Sequence, residues 1–476
     1  MREVAKIFLI ILIMLTVVIV LLLEVRIITS YRLRFHAGKS SKDKDGILSL
    51  KAGDGIVYLE KGLFAARFDG DYGLDDFLKR KGAASDQEML RFLADYYRMD
   101  CETLEIRGAG FGCSTISVPS MDGGYLFGRN FDWLPCDAMI VEAHPGNGYS
   151  SISTVNMDFI HIGTKFRSLR MSQKALITTA LYVPLDGMNE KGLCVSVNMI
   201  HDSDTIKQST GKPNLTTTTA IRLMLDKAAN VEEALALLKS YDLHASMNYM
   251  IHFAIADANG NSVAVEYVHN KMVVIQTPIL TNFYLTKGDK HGIGTEQSKI
   301  RYKILGKALD SNTSMTVNQV RDILDSVGKH NFRCRETTEW SIVFDQKALT
   351  AYYYHREHYK ENYQLILMGS RKKERIKKQI EGMDVRTAIQ SKECNEDGEA
   401  DAIWSKMCDL DFSIPFVCST GGASLLPADK CFGSGNRASN CRRYHYDYRS
   451  YCRKPCPLSM RFRFCNKVCH IWRLVV

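Results

Sequence analysis

Gly112-Cys113-Ser114-Thr115, followed after a short gap by Gly128-Arg129-Asn130-Phe131-Asp132-Trp133, is the stretch on which the reading of this chain turns. It sets a thiol one hairpin away from an arginine and an aspartate three positions apart. A nucleophilic cysteine needs a lowered pKa and a base. Positive charge favours the thiolate, and a carboxylate can orient the group that takes the proton. None of the 13 histidines sits in a recognisable cysteine-protease signature. A different base is at hand: the cysteine's own α-amine, exposed if the Gly112–Cys113 bond is cut. Such an amine titrates at about 7.7–8.0, close to the ideal for a general base at neutral pH. The plainer alternative is a small core residue, the usual fate of a free cysteine in an apolar strand. Arg129 and Asp132 weigh against it. Gly108-Ala-Gly-Phe-Gly112 leads into the thiol. Glycine there permits the strained backbone that self-cleavage needs, though a simple turn uses the same residues.

Outward from this stretch the chain alternates strands with blocks of helix. Residues 113–118 and 125–133 flank a turn at 119–124 and read as a hairpin. Residues 175–183 and 192–199 read as strands around the turn-like Asp186-Gly-Met-Asn-Glu-Lys-Gly192. Ala258-Asn-Gly-Asn261 joins strands 252–257 and 262–268, and 341–345 pairs with 348–355. Helices are expected over 216–226, over 231–241 with Asn230 as cap, and over 316–327 with a capping box at Thr316 and Gln319. Before Cys113, residues 55–60 read as a strand. Ser85 and Glu88 read as the capping box of an amphipathic helix. Strand runs broken by helix blocks predict an α+β layered domain, and strands apolar on both faces predict sheets buried between helices.

Five motifs occur in one order: Cys113-Ser-Thr; Phe127-Gly-Arg-Asn-Phe-Asp-Trp133; Asp186-Gly-Met-Asn-Glu-Lys-Gly-Leu193 with Asn198; Leu280-Thr-Asn282; and Ser298-Lys-Ile-Arg301-Tyr302. In this order they resemble the linear-amide C–N hydrolases of the N-terminal-nucleophile (Ntn) superfamily. That family includes choloylglycine hydrolases, penicillin V acylases and an acyltransferase and acid-ceramidase-like branch. The resemblance covers residues 47–368. It implies a four-layer αββα sandwich that needs no cofactor and no metal. It also implies roles: Cys113 as nucleophile with its amine as proton relay, Asp132 holding that amine, Arg129 beside the thiol, Asn198 and Asn282 binding the oxyanion and the amine, and Arg301 anchoring the site. Alone, Asn282 reads as a turn residue and Arg301 as a solvated helix charge. In the bile-salt hydrolases the cysteine follows the initiator methionine, whereas 112 residues precede Cys113. Activity therefore requires internal cleavage.

The bulk numbers divide the chain. Its net charge of +9 is concentrated in residues 369–476, which hold 20 Lys/Arg against 12 Asp/Glu. The rest is nearly neutral, which excludes a nucleic-acid partner. Nine of the 14 cysteines fall between Cys394 and Cys469, so the body is no disulfide scaffold. Cys101, Cys136, Cys194 and Cys334 read as core residues. The apolar run Ile7–Leu23, with Arg2 and Lys6 before it, reads as a single-pass signal anchor. Basic residues after the span favour a cytoplasmic body, while the six-residue N-terminal tail favours the opposite side; the adopted expectation is extracytoplasmic. The expected organisation is an anchor at 1–29, a linker and propeptide-like segment at 30–112, the catalytic domain at 113–368, and a basic, Cys-rich, disordered or spurious tail at 369–476. The expected activity is hydrolysis of a small N-acyl amide. Acyl transfer through the same thioester, or a non-catalytic interaction module that never matures, are the competing readings.

Overall fold

The computed structural model describes residues 41–42, 46–97, 112–161, 173–331 and 336–367. Two sheets lie at its centre. The larger has nine strands, in the spatial order 271–276, 262–268, 251–256, 194–199, 186–189, 151–156, 138–144, 63–69 and 56–60. Its neighbours run antiparallel except 63–69 and 138–144, which run parallel. The smaller has seven: 279–280, 112–119, 125–133, 336–345, 350–355 and 363–366 in order, with 330–331 paired beside 336–345. Helices 173–182, 217–227 and 231–239 pack on the larger sheet, and helices 296–311 and 317–326 on the smaller. The result is an αββα arrangement with one apolar core reaching between the sheets and a second between the smaller sheet and its helices.

The expected hairpin fixes the centre. Gly112 lies opposite Asp132 and Cys113 opposite Phe131. Strand alternation then sorts the side chains. Phe127, Phe131, Trp133 and Cys113 join the core between the sheets, and Arg129 points the same way. Ile116, Val118 and Leu126 face the helices with Asn130, whose amide donates to the Leu324 carbonyl of helix 317–326 at 2.7 Å. That helix starts as the sequence predicts, with a complete Thr316/Gln319 capping box, and buries Val320 and Leu324. Asn230 caps helix 231–239 through the Glu233 N–H. Ser85 accepts the Glu88 N–H, but the Glu88 carboxylate takes the Ala84 N–H, one residue earlier than a capping box requires.

Two expectations are corrected. Residues 175–183 form no strand; Gln173–Tyr182 is a helix. Every residue from Ala175 to Tyr182 is buried, so no polar face betrays a helical period, and such a run reads equally as a doubly buried strand. The turn expected over Asp186–Gly192 is shorter. Asp186–Asn189 is a strand, and the turn closes only when the Asn189 side chain accepts the Lys191 and Leu193 N–H groups, with Gly192 at φ +77°.

The expected linker and propeptide-like segment contains a folded portion. Ile56–Glu60 is an edge strand of the larger sheet with Leu63–Asp69 paired inside it, and Leu74–Lys79 and Asp86–Tyr97 are helices. Phe77 meets Tyr182 edge-on at 5.4 Å, which ties them to the body. The apolar run 7–23, Cys101, Cys334 and the tail 369–476 lie outside the described residues. Among the described residues no helix is long and apolar enough to cross a membrane.

Gly128 permits the close approach of helix 317–326. A Cβ there meets Val320 Cγ1 at 2.7 Å, Ile116 Cγ2 at 3.1 Å and Leu324 Cδ1 at 3.3 Å. Gly128→Ala is expected to cost about 1–3 kcal/mol by overpacking. Urea unfolding checks this; an unchanged midpoint refutes the close-packing account.

Candidate active site

Cys113 is 2% exposed on the strand Gly112–Pro119. On the core side of the sheet, Arg129 Nη2 lies 3.9 Å from Cys113 Sγ and donates to the Val197 carbonyl at 2.8 Å. Arg129 Nη1 pairs with Asp186, whose carboxylate also takes the Trp340 indole N–H at 3.0 Å. Both charged groups are fully buried. Asp186 belongs to the larger sheet and Arg129 to the smaller, so this pair crosses between the sheets.

The helix side carries the other charges. Arg301, in helix Glu296–Ser311, donates from Nη1 to the Cys113 carbonyl at 2.7 Å and to Ser114 Oγ at 2.6 Å. Its Nη2 reaches Asn282 Oδ1 at 2.8 Å. Asp132 Oδ1 accepts the Thr338 hydroxyl at 2.7 Å. Asp132 Oδ2 lies 3.6 Å from Arg301 Nη1, yet it is buried and accepts no hydrogen bond. The same oxygen is 2.8 Å from where a Cβ on Gly112 would stand, against the Gly112–Cys113 peptide.

Between these faces runs the backbone of Cys113. Its N–H donates to Asn282 Oδ1 at 2.6 Å. The two-residue strand Ile279–Leu280 pairs with Ile116 and Thr115, and continuing that register brings Asn282 level with Cys113. Ser298 Oγ, in the first turn of the Arg301 helix, accepts the Asn282 N–H at 2.5 Å. Asn282 Nδ2 donates to the Met199 carbonyl at 2.7 Å. Asn198 Nδ2 donates to the Leu280 and Thr281 carbonyls at 3.3 and 3.2 Å, while its Oδ1 is buried without a partner. His252 holds the same turn through the Thr281 carbonyl at 2.8 Å and faces Glu266 on its other nitrogen. No histidine is among the side chains bonded to Cys113 in the described residues.

The structure therefore brings Cys113, Arg129, Asp132, Asn282 and Arg301 into one bonded cluster, with Asn198 joined through the 280–281 carbonyls. Asn282 faces the amide of Cys113. Asn282 Nδ2 uses one of its two N–H groups on the Met199 carbonyl, while Asn198 Nδ2 commits both of its own through two long bonds. Sequence reasoning missed Asp186, Ser298, Thr338 and Lys329. Asp186 and Ser298 stand inside motifs already quoted, but Asp186 was assigned to a turn and Ser298 given no role. Thr338 meets Asp132 only through the 206-residue separation that the sheet closes, and no local pattern signals it.

Burial pushes the Cys113 thiol above its ordinary range; Arg129 and Arg301 pull it back, and Asp132 adds to the rise. Burial likewise raises Asp132 to about 6, against the pull of Arg301, Lys329 and the Thr338 hydroxyl. In the intact chain burial therefore favours the neutral thiol over the thiolate. The Cys113 nitrogen meets Asn282 Oδ1, and Asp132 Oδ2, which accepts no hydrogen bond, stands beside the adjoining Gly112.

The family model for acyl-coenzyme A:6-aminopenicillanic acid acyl-transferase matches residues 120–359, a stretch that holds Arg129, Asp132, Asn198, Asn282 and Arg301 and begins seven residues after Cys113. Over 192 residues the chain is 30% identical to the bile salt hydrolase/transferase of Clostridium perfringens (strain 13 / Type A), covering 36% of this chain and 53% of the relative. The chain thus spans about half the length of the curated relative it matches. Similar solved structures include a mutant of conjugated bile acid hydrolase from Clostridium perfringens, at 17% identity and TM-score 0.40, covering 54% of this chain and 92% of that one. Penicillin V acylase from Agrobacterium tumefaciens follows at 18% identity and TM-score 0.37, covering 51% and 83%.

Asp186→Asn leaves the Arg129 guanidinium buried without its counter-charge. Breaking a buried pair from one side costs about 3–5 kcal/mol. Chemical unfolding of the variant is expected to show that loss; a cost under about 1 kcal/mol would mean that the pair does not hold the sheets.

Proposed function

This chain belongs to the acyl-coenzyme A:6-aminopenicillanic acid acyl-transferase family, within the Ntn linear-amide hydrolases, and on that premise we propose that it is a self-processing amidase that cleaves a non-peptide amide bond of an N-acyl compound. The observation that carries this reading is the surroundings of one peptide bond. Cys113 N–H is held by Asn282, its thiol is faced by Arg129, and a buried carboxylate oxygen of Asp132 that accepts no hydrogen bond stands beside Gly112.

Two stages follow from that geometry. In the first, the Cys113 sulfur adds to the Gly112 carbonyl carbon, the C–N bond breaks, and the thiol proton passes to the departing nitrogen. Water then hydrolyses the resulting thioester, giving a Gly112 carboxylate, a restored thiol and a free α-amine. In the second stage the amine takes the thiol proton as sulfur adds to the substrate carbonyl, and returns it to the leaving amine. Asp132 orients the amine, Arg129 favours negative charge at sulfur, and Arg301 holds Asn282 and the Cys113 carbonyl in place. An oxyanion donor is supplied if Asn198 exchanges its long carbonyl bonds for the substrate oxygen. The substrate's acyl and amine groups are selected by surrounding loops, not by these residues.

A second reading has a specific support: the matched family is described as an acyl-transferase, and the Clostridium perfringens relative as a hydrolase/transferase. In that reading an acceptor amine, not water, resolves the substrate thioester. Product analysis with a panel of N-acyl amides, with and without added primary amines, separates the two. The apolar run 7–23 supports a membrane tether for either activity. Carbonate-resistant membrane association that is lost on deleting those residues is the expected result, and association that persists without them overturns the tether.

Intact mass and N-terminal sequencing are expected to find two pieces, the larger beginning at Cys113, while Cys113→Ala stays whole. A single intact chain with full amidase activity overturns the proposal. The rate of splitting carries a pH signature. Asp132 receives the new ammonium only as a carboxylate, so splitting is expected to slow as pH falls through about 6 and to lose that limb in Asp132→Asn. For stability the sign is opposite. A carboxyl raised in the folded chain stabilises it as pH falls through about 6, and this contribution is absent at neutral pH.

A further inference from the structure

Lys329 is a buried cation to which the two stages above give no part. It follows helix 317–326 and is 7% exposed. Its ammonium pairs with Glu336, whose side chain is 22% exposed. The lysine is fixed at both backbone ends: its N–H donates to Thr338 Oγ1 at 2.8 Å, and its carbonyl accepts the Thr338 N–H at 3.1 Å. The same Thr338 hydroxyl holds Asp132. The lysine chain runs over Gly112. A Cβ on Gly112 would stand 2.4 Å from Lys329 Cε and 2.8 Å from both Lys329 Nζ and Asp132 Oδ2. The space that any other side chain would take beside the scissile bond is therefore occupied by one cation and one anion.

Resting on the reading that the Gly112–Cys113 bond is cut, we propose that Lys329 is the residue that promotes this scission and then holds the Gly112 carboxylate it creates. Scission makes two charges from a neutral peptide, an ammonium on Cys113 and a carboxylate on Gly112. Buried charges are stable only when paired. Asp132 stands ready for the first and Lys329 for the second. Negative charge begins to form on the Gly112 carbonyl oxygen as sulfur adds to its carbon, and a neighbouring ammonium lowers the cost of that step. The carboxylate then competes with half-wet Glu336 for the same ammonium, and its deeper position favours it. Glu336 is the resting partner that keeps Lys329 satisfied until then. The alternative is that Lys329 and Glu336 form only a structural ion pair; the two readings differ in what removing each partner does.

The full chain made by cell-free synthesis and sampled by intact mass over time tests this. Lys329→Met is expected to slow splitting at least about tenfold, on the scale seen when one charge-stabilising donor is removed. Lys329→Arg, which keeps the charge, is expected to fall between it and wild type. Glu336→Gln frees the ammonium and is expected to split at least as fast as wild type. If Glu336→Gln is slowed as much as Lys329→Met, the pair is structural and the proposal fails. If Lys329→Met splits at the wild-type rate, the proposal also fails. Should Lys329→Met not fold, Glu336→Gln and Lys329→Arg decide alone: rates at or above wild type for the first and clear retention for the second support it, and slowing in both refutes it. A wild-type chain that stays whole removes the scission reading itself, and Lys329 with it; a wild type that splits beside an equally fast Lys329→Met removes Lys329 only.

Discussion

The buried Arg129–Asp186 pair is the constraint around which the rest of the centre is arranged. A guanidinium and a carboxylate sealed between two sheets demand partners for nearly every polar atom. Arg129 spends its donors on Asp186, the Val197 carbonyl and the face of the thiol; Asp186 adds the Trp340 indole. These bonds join strands 125–133 and 336–345 of one sheet to strands 186–189 and 194–199 of the other. At sulfur, burial outweighs the pull of Arg129 and Asp132 adds to the rise, so the thiol stays above its ordinary pKa range. A cation beside a cysteine does not by itself make a thiolate. In the proposed reaction a base must be added, and it is the backbone nitrogen of the same residue.

The pleat of the nucleophile strand explains how one amine can serve both sides. Sulfur and Arg129 lie on the core face; Asp132, Ser114, Arg301 and Lys329 gather on the helix face. The Asp132 carboxylate thus lies on the opposite face from sulfur and reaches the thiol through its charge. The atom accessible to both faces is the Cys113 nitrogen, which lies in the plane of the sheet and already meets Asn282. Under the proposed mechanism the carboxylate acts on the amine from one face while the amine acts on sulfur at the other, a relay set by strand geometry.

What the sequence made legible follows the range of the interactions involved. The Cys113 hairpin, the Thr316 and Asn230 caps and the 251–268 hairpin are local, and each is seen at the expected residues. Arg129 and Asp132 could be singled out because they share that hairpin with the thiol. Asn198, Asn282 and Arg301 gained meaning only from the ordered motifs. Alone they are a strand end, a turn and a helix charge, and what joins them is a register continued from two residue pairs, Ile279–Ile116 and Leu280–Thr115. Gln173–Tyr182 was unreadable for another reason: a helix buried all round has no polar side to mark its period. Thr338 and Lys329 were unreadable because their roles come from the 336–345 strand lying beside 125–133, a pairing with no sequence signature.

The described segment before Cys113 bears on what scission can achieve. Strand 63–69 lies parallel to 138–144 through a seven-residue register, and the connection between them runs through Cys113. Cutting the chain there removes the crossover but none of the hydrogen bonds. Leu63, Ala65, Ala66, Phe68 and Phe77 remain in the core, at about 1.5–3 kcal/mol for each large side chain fully buried. Tyr72 bonds Asp226 of helix 217–227, inside the body. If the proposed scission occurs, these contacts favour retention of the piece after its covalent link is broken. On the proposed reading, scission then changes one peptide bond, turning the Cys113 nitrogen into an amine and the Gly112 carbonyl into a carboxylate, within a fold whose other contacts are unaltered.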